Sequence, residues 1–154
     1  ARGLARNALR EWDVVVVAAF AGAAVPVHLL TRESFEYYLA SLAPDGLLAV
    51  HVSSRHFDLF PLVARMGLTV GLESVWVSTP DVPRHQSQQA VWVLLARNGR
   101  QLTALMSTFK KRYRELGINP ASIRMSRTQP VDVMHVPVWT DDYSDLFSLL
   151  RRLR

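Results

Sequence analysis

The sequence predicts an α/β fold whose sheet is mostly parallel and ends in an antiparallel pair. Three observations carry the prediction: a β-branched run at Val14 to Val17, a second apolar run at Leu47 to Val52, and an apolar stripe at helical spacing between them. Strand, helix and strand with short connections make a βαβ unit, whose strands lie parallel and whose crossover is right-handed in nearly all known folds. A chain of 154 residues that is 49% hydrophobic fills one core, so residues 1–154 are read as a single domain.

Val14 to Val17 is apolar on both faces, the pattern of a strand buried between helix layers. Thr31 is placed to cap a helix in which Phe35, Tyr38, Leu39 and Leu42 form one stripe, and Pro44-Asp45-Gly46 supplies the turn that ends it. After the Leu47 to Val52 strand, Asp58 is expected to cap a second helix with Leu59, Leu62, Val63 and Met66 on its inner face. Pro61 is tolerated in its first turn, and Gly67 is expected to stop it. Leu72 to Ser78 and Ala90 to Ala96 read as an antiparallel pair of strands, separated by a polar loop over Thr79 to Gln89 that is long enough to cover something.

Gln101 to Leu116 is the clearest helix, with Leu102, Leu105, Met106, Phe109, Tyr113 and Leu116 on one side and Gly117 at the C-cap position. Ile118 to Val136 reads as irregular. Leu146, Leu149, Leu150 and Leu153 then mark a final short helix.

Composition narrows the function classes. The chain has no cysteine, which excludes disulfides and thiolate metal sites. No two histidines show metal-ligand spacing: His51 and His56 straddle a strand end without a third ligand, so no metal is expected. The 18 basic residues exceed the 13 acidic ones, which raises nucleic acid or an anionic membrane as partners. The arginines are scattered, however. The two dense groups, Lys110-Lys111-Arg112 with Arg114 and Arg151-Arg152 with Arg154, fall toward the ends of expected helices, where positive charge complements the helix dipole. With no nucleic-acid motif beside them, they read as solvated helix ends, and no nucleic-acid partner is expected. Val14 to Val27 is too short to cross a bilayer, which needs about 20 apolar residues. Glu11 and Asp13 spoil its likeness to a secretory signal.

Two motifs point to a family. Pro137-Val138-Trp139-Thr140-Asp141-Asp142-Tyr143-Ser144, followed by a leucine-rich segment, resembles the C-terminal signature of bacterial spermidine synthase-like proteins, including those fused to transporter-like membrane segments. Residues 13 to 35, which include Ala18-Ala19-Phe20 and Pro26-Val27-His28-Leu29-Leu30-Thr31-Arg32-Glu33, resemble a second segment of that family. Further similar blocks lie at 43 to 53 and 91 to 98.

The resemblance implies the C-terminal half of a Rossmann-like, S-adenosylmethionine-dependent methyltransferase fold, with strands equivalent to the fourth through seventh of the complete sheet. The glycine-rich nucleotide turn that opens such a sheet is missing, since the seven glycines form no Gly-x-Gly pair. Ala1-Arg2 resembles the tail of the family's Gly-Asp-Ala-Arg stretch, so the resemblance puts the adenine-contacting aspartate just before residue 1 and makes residues 1–154 a partial domain that lacks the N-terminal nucleotide-binding strands. A cytoplasmic location is expected, alone or within a membrane-anchored fusion. So is an open sheet edge suited to a homodimer or to a complementing N-terminal segment.

Aminopropyl transfer requires carboxylates to hold a cationic amine and to take its proton as it attacks the carbon beside a sulfonium. Spermidine synthases are thought to use an aspartate at the end of the fourth strand, where this chain has Ala18, and Ala23 replaces the second acid of the same loop. The resemblance therefore implies decarboxylated S-adenosylmethionine as the family's substrate, a site at Ala18, Ala19 and Phe20 for its nucleoside, and no catalytic acid in this chain. Asp141 and Asp142 read either as an amine-binding pair, with Trp139 and Tyr143 supplying cation–π faces, or as caps of the final helix. His28 and Ser54, with Ser53 and Arg55, are expected at the crevice, while His51 is expected to be buried within its strand. Two other classes stay open: a methyltransferase relative, for which the alanines need not be fatal, and a non-enzymatic interaction module.

Overall fold

The computed structural model describes residues 12–18, 25–83, 86 and 88–150. Its strands are β1 (Trp12–Val17), β2 (Leu42–His51), β3 (Glu73–Thr79), β4 (Ala90–Ala96) and β5 (Arg124–Arg127). Its helices are α1 (Arg32–Ser41), α2 (Phe60–Thr69), α3 (Gly99–Glu115) and the single turn α4 (Pro130–Val133), and 3-10 turns lie at Val27–Leu29, Pro120–Ser122 and Phe147–Leu149.

The five strands form one mixed sheet in the order β1-β2-β4-β3-β5. β1 pairs with β2 in parallel, as the βαβ reading requires, and β3 pairs with β4 antiparallel, also as expected. The expected mostly parallel sheet is not what forms, because β2–β4 and β3–β5 are antiparallel as well. The cause is the placement of β4. Among its described residues the connection from β3 forms no α-helix that would carry the chain across the sheet, and β4 returns beside β3 on the side facing β2. β1, β2 and β3 still run in one direction, but the reversed strand between β2 and β3 turns one parallel neighbour relation into two antiparallel ones. β5 was not legible, since Arg-Met-Ser-Arg contains no apolar run, and it falls in the stretch read as irregular.

Helices cover the two faces unequally. On one face α1 and α2 place Phe35, Tyr38, Leu62, Val63 and Met66 against Leu48, Val50, Val93 and Leu95. On the other, α3 sets Leu102, with half-buried Leu105, Met106, Phe109 and Tyr113, against Ala49, Val75, Val77, Leu94 and Ala96. β1 was expected to be buried on both faces and is not: Val14 and Val16 are 53% and 57% exposed. α3 lies against β3 and β4 and stops short of the β1 edge.

Local signals succeed and fail for identifiable reasons. Thr31 caps α1, its hydroxyl accepting from the Ser34 amide at 3.4 Å, and Gly117 sits past α3 at φ 67°. Pro44-Asp45-Gly46 does not separate helix from strand. α1 passes directly into β2, and the register jump from Trp12↔Leu42 to Val14↔Leu47 absorbs the three residues as a bulge. A side chain at Gly46 would meet the carbonyl oxygens of Trp12 and Ala43 at 3.0 Å, so the bulge requires glycine there.

Gly67 does not stop α2, which continues to Thr69. The chain turns instead at Gly71, φ 80°, and the bare backbone of Gly67 makes room for Leu95. Asp58 is not the cap of α2; Leu59 holds that position, and the Asp58 amide donates to the Leu149 carbonyl at 2.8 Å. The expected final helix is one 3-10 turn, and Leu153 lies outside the described residues. Among the described residues no helix is long and apolar enough to cross a membrane.

Arg97, just after β4, fastens the helix-to-strand junction. Its guanidinium donates to the carbonyl of Leu39 at 2.7 Å, in the last turn of α1 where carbonyls lack full helical pairing, and to that of Ala43 at 2.6 Å, in the bulged start of β2. Arg97→Met keeps the aliphatic stem and strands those carbonyls. Denaturant unfolding is expected to show a loss of about 1–3 kcal/mol.

Candidate functional site

The candidate site is built where the C-terminal tail crosses the start of α1. α1 runs back to deliver the chain to β2, so its N-terminus lies on the side of the sheet where β1 ends. The first turn of α1 presents the Arg32 amide, which donates to the Trp139 carbonyl at 2.9 Å. Directly after Trp139, Thr140 and Tyr143 exchange backbone hydrogen bonds of 2.9 and 3.1 Å, closing a four-residue turn with Asp141 and Asp142 at its tip. The tail then passes the connection that leaves β2, where Phe57 bridges Leu150.

The two aspartates have different environments. The Asp141 amide donates to Glu33 at 3.1 Å, and its carboxylate accepts from the Thr31 hydroxyl at 3.0 Å. Thr31 therefore serves twice, capping its own helix with its oxygen and holding Asp141 with its proton. Both Glu33 and Asp141 sit at the positive end of the α1 dipole, which favours negative charge. Asp142 is exposed and makes no hydrogen bond or ion pair among the described residues. Neither aspartate caps the Phe147–Leu149 turn, whose N-cap position is held by Leu146; Asp145, just before it, accepts from the Ser148 amide at 3.2 Å. Arg32 offsets part of the acidity by pairing with Glu33 at 3.1 Å and Glu36 at 3.6 Å.

The aromatic neighbours divide in the same way. Tyr143 is 49% exposed beside Asp142, whereas Trp139 is wholly buried among Leu30, Phe35 and the rest of the core. Trp139 thus offers no exposed face to a cation, and its indole N–H has no acceptor.

The remaining expected site residues are scattered. His28 is exposed in the turn before α1, and its carbonyl takes the Ser34 hydroxyl proton. The Ser54 hydroxyl oxygen accepts from the amides of His56 and Phe57 at 3.3 and 3.2 Å, so it shapes the turn after β2. Ser53 accepts from the Val91 amide at 2.7 Å and ties the end of β2 to β4, while Arg55 is exposed. Ala18 is the exposed residue that follows β1; Ala19, Phe20 and Ala23 lie outside the described residues. His51 is half-buried with its ring 4.8 Å from that of Trp92, and burial lowers its pKa below the ordinary value.

Sequence reasoning missed Glu33 as the partner of the tail. An acid in the first turn of a helix was its one signal, and that pattern more often serves the dipole alone.

No group of three or more metal-ligating side chains occurs among the described residues. A cavity of about 440 Å³ lies between α2 and β5, lined in part by Glu73, Ser74, Arg127 and Thr128, and one of about 310 Å³ lies between the sheet and α3. Neither is lined by a residue singled out in the sequence for this site. No family model matches the chain, and no curated protein matches it.

Thr31→Ala removes both the cap and the grip on Asp141, and a loss of about 0.5–2 kcal/mol is expected in denaturant unfolding. Combined with Asp141→Ala, the two losses are expected to fall short of additive by about 0.5 kcal/mol or more, because the residues share one contact. For His51 the folded pKa is lowered, so the unfolded chain binds more protons below its own pKa, near 6.5. Stability is full above that pH and is lost as pH falls below it toward the folded value. Melting temperatures across pH 5 to 8 are expected to show this decline in the wild type and a weaker one in His51→Gln.

Proposed function

We propose that the chain is a spermidine synthase-like domain that has kept an amine-binding rim and lost aminopropyl transfer. One observation carries the reading. The two segments that resemble the family, 13 to 35 and 137 to 151, are remote in sequence yet meet through the Arg32–Trp139 and Thr31–Asp141 hydrogen bonds. The common direction of β1, β2 and β3 supports the methyltransferase-type ancestry, as does the expected antiparallel pairing of β3 with β4.

In this reading the exposed Asp142 carboxylate attracts an ammonium group, and the ring of Tyr143 adds a cation–π contact worth about 0.5–1 kcal/mol at an exposed position. Asp141 holds the turn against α1. Transfer chemistry then fails at one step. The attacking nitrogen must lose a proton, and the methyl group of Ala18 cannot accept it; lack of a general base alone typically costs about 10² to 10⁴ in rate.

The test combines ligand binding with turnover. Putrescine is expected to raise the melting temperature of the wild type and not of Asp142→Asn, with no product formed from putrescine and decarboxylated S-adenosylmethionine. Detectable aminopropyl transfer would overturn the loss of activity. A response to S-adenosylhomocysteine without one to putrescine would move the assignment to a methyltransferase relative.

A further inference from the structure

Among the described residues, charge is segregated between the two faces of the sheet. Residues 97–127 hold eight of the 18 basic residues and one of the 13 acidic ones. The described residues outside that stretch hold three basic and eleven acidic residues. α3 dominates the basic stretch and covers one face of the sheet; Glu33, Glu36 and the acidic tail belong to the opposite face with α1.

On α3, Arg100, Lys110, Lys111 and Arg114 are exposed and make no side-chain hydrogen bond or ion pair among the described residues, whereas Arg112 pairs with Glu115 at 3.1 Å. The same side of the molecule carries apolar surface. Val16 borders the 310 Å³ cavity together with Phe109 and Tyr113 of α3, which places the uncovered flank of β1 beside the basic helix. Trp12 on that strand is 60% exposed, and Val14 and Val16 are the exposed valines already described.

We infer that this face, α3 together with the β1 flank, docks on an anionic lipid bilayer surface. Lysines and arginines near such a surface contribute about 1 kcal/mol each, and the apolar flank adds contact at the headgroup boundary. The acidic face then points away from the lipid, where repulsion is least. A nucleic-acid backbone fits less well. The hydroxyls among the α3 cations are committed to their own helix, Thr103 to Gly99 at 3.0 Å, Ser107 to Thr103 at 3.2 Å and Thr108 to Ala104 at 3.0 Å. They are therefore poorly placed to serve as phosphate donors. On the β1 flank Val14 and Val16 offer a base no stacking surface, which leaves Trp12 as the one exposed ring of that strand.

The test is co-sedimentation of the purified chain with phosphatidylcholine vesicles that contain about one-third phosphatidylserine, with pure phosphatidylcholine vesicles and a 20-base-pair DNA duplex as comparisons. The wild type is expected to bind the anionic vesicles, to release them as salt rises, and to ignore the neutral ones. Lys110→Ala with Lys111→Ala is expected to weaken partition about tenfold or more. Val14→Ser with Val16→Ser is expected to weaken it without changing the salt dependence. Should the lysine pair perturb folding by circular dichroism, Arg100→Ala with Arg114→Ala replaces it. Absence of vesicle binding, equal binding to neutral vesicles, or a lysine variant that binds like the wild type overturns the proposal. So does tighter, lysine-dependent retention of the duplex, which would assign the face to nucleic acid.

Discussion

One buried indole fixes the geometry of the rim. Trp139 is wholly inside the core. Withdrawing about 150–250 Å² of ring from water contributes about 4–6 kcal/mol at the usual coefficient, an upper figure for a chain that is partly collapsed when unfolded. Its unpartnered N–H gives back about 1–3 kcal/mol. The balance favours burial, and because the backbone on either side of the ring cannot move independently, the turn at Thr140–Tyr143 is delivered to the first turn of α1. Thr31, Arg32 and Glu33 then complete an arrangement whose position packing has already decided. The polar bonds specify orientation; the apolar wedge supplies most of the adhesion.

This division explains what the sequence disclosed. The helical stripes, the Thr31 cap, the Gly117 terminator and the extent of β4 were legible because each depends on residues within a turn or two of one another. Neighbour relations in the sheet were not. Nothing local in Ala90–Ala96 says that the strand will slot between β2 and β3, and β5 has no apolar pattern to announce it. At the rim, the residue types were visible but their states were not. Trp139 and Tyr143 looked alike as aromatic neighbours of the aspartates, yet one is core and the other surface, because burial is decided by partners over a hundred residues away.

The same logic separates the roles of the paired acids. Two adjacent carboxylates in a linear motif invite a shared function, but a turn aims consecutive side chains in different directions. Asp141 is drawn to the α1 terminus, where hydrogen bonds and the dipole stabilise its charge. Asp142 keeps its full capacity for an outside cation. In the proposed reading one acid holds the turn and the other meets the ligand, so substituting either alone would disable a different part of the rim.

The central place of β4 also governs the order in which the architecture can assemble. β1, α1 and β2 form a unit from neighbouring chain, whereas β3 gains no sheet partner until β4 has been laid beside it, and β4 joins β2 across some 45 residues. Closing that span costs entropy before any contact repays it, so the first βαβ unit and the later hairpin are natural early structures, and their merger is the slow step. During synthesis on a ribosome, the half-sheet of β1 and β2 therefore waits with its inner edge unpaired until residue 96 has emerged.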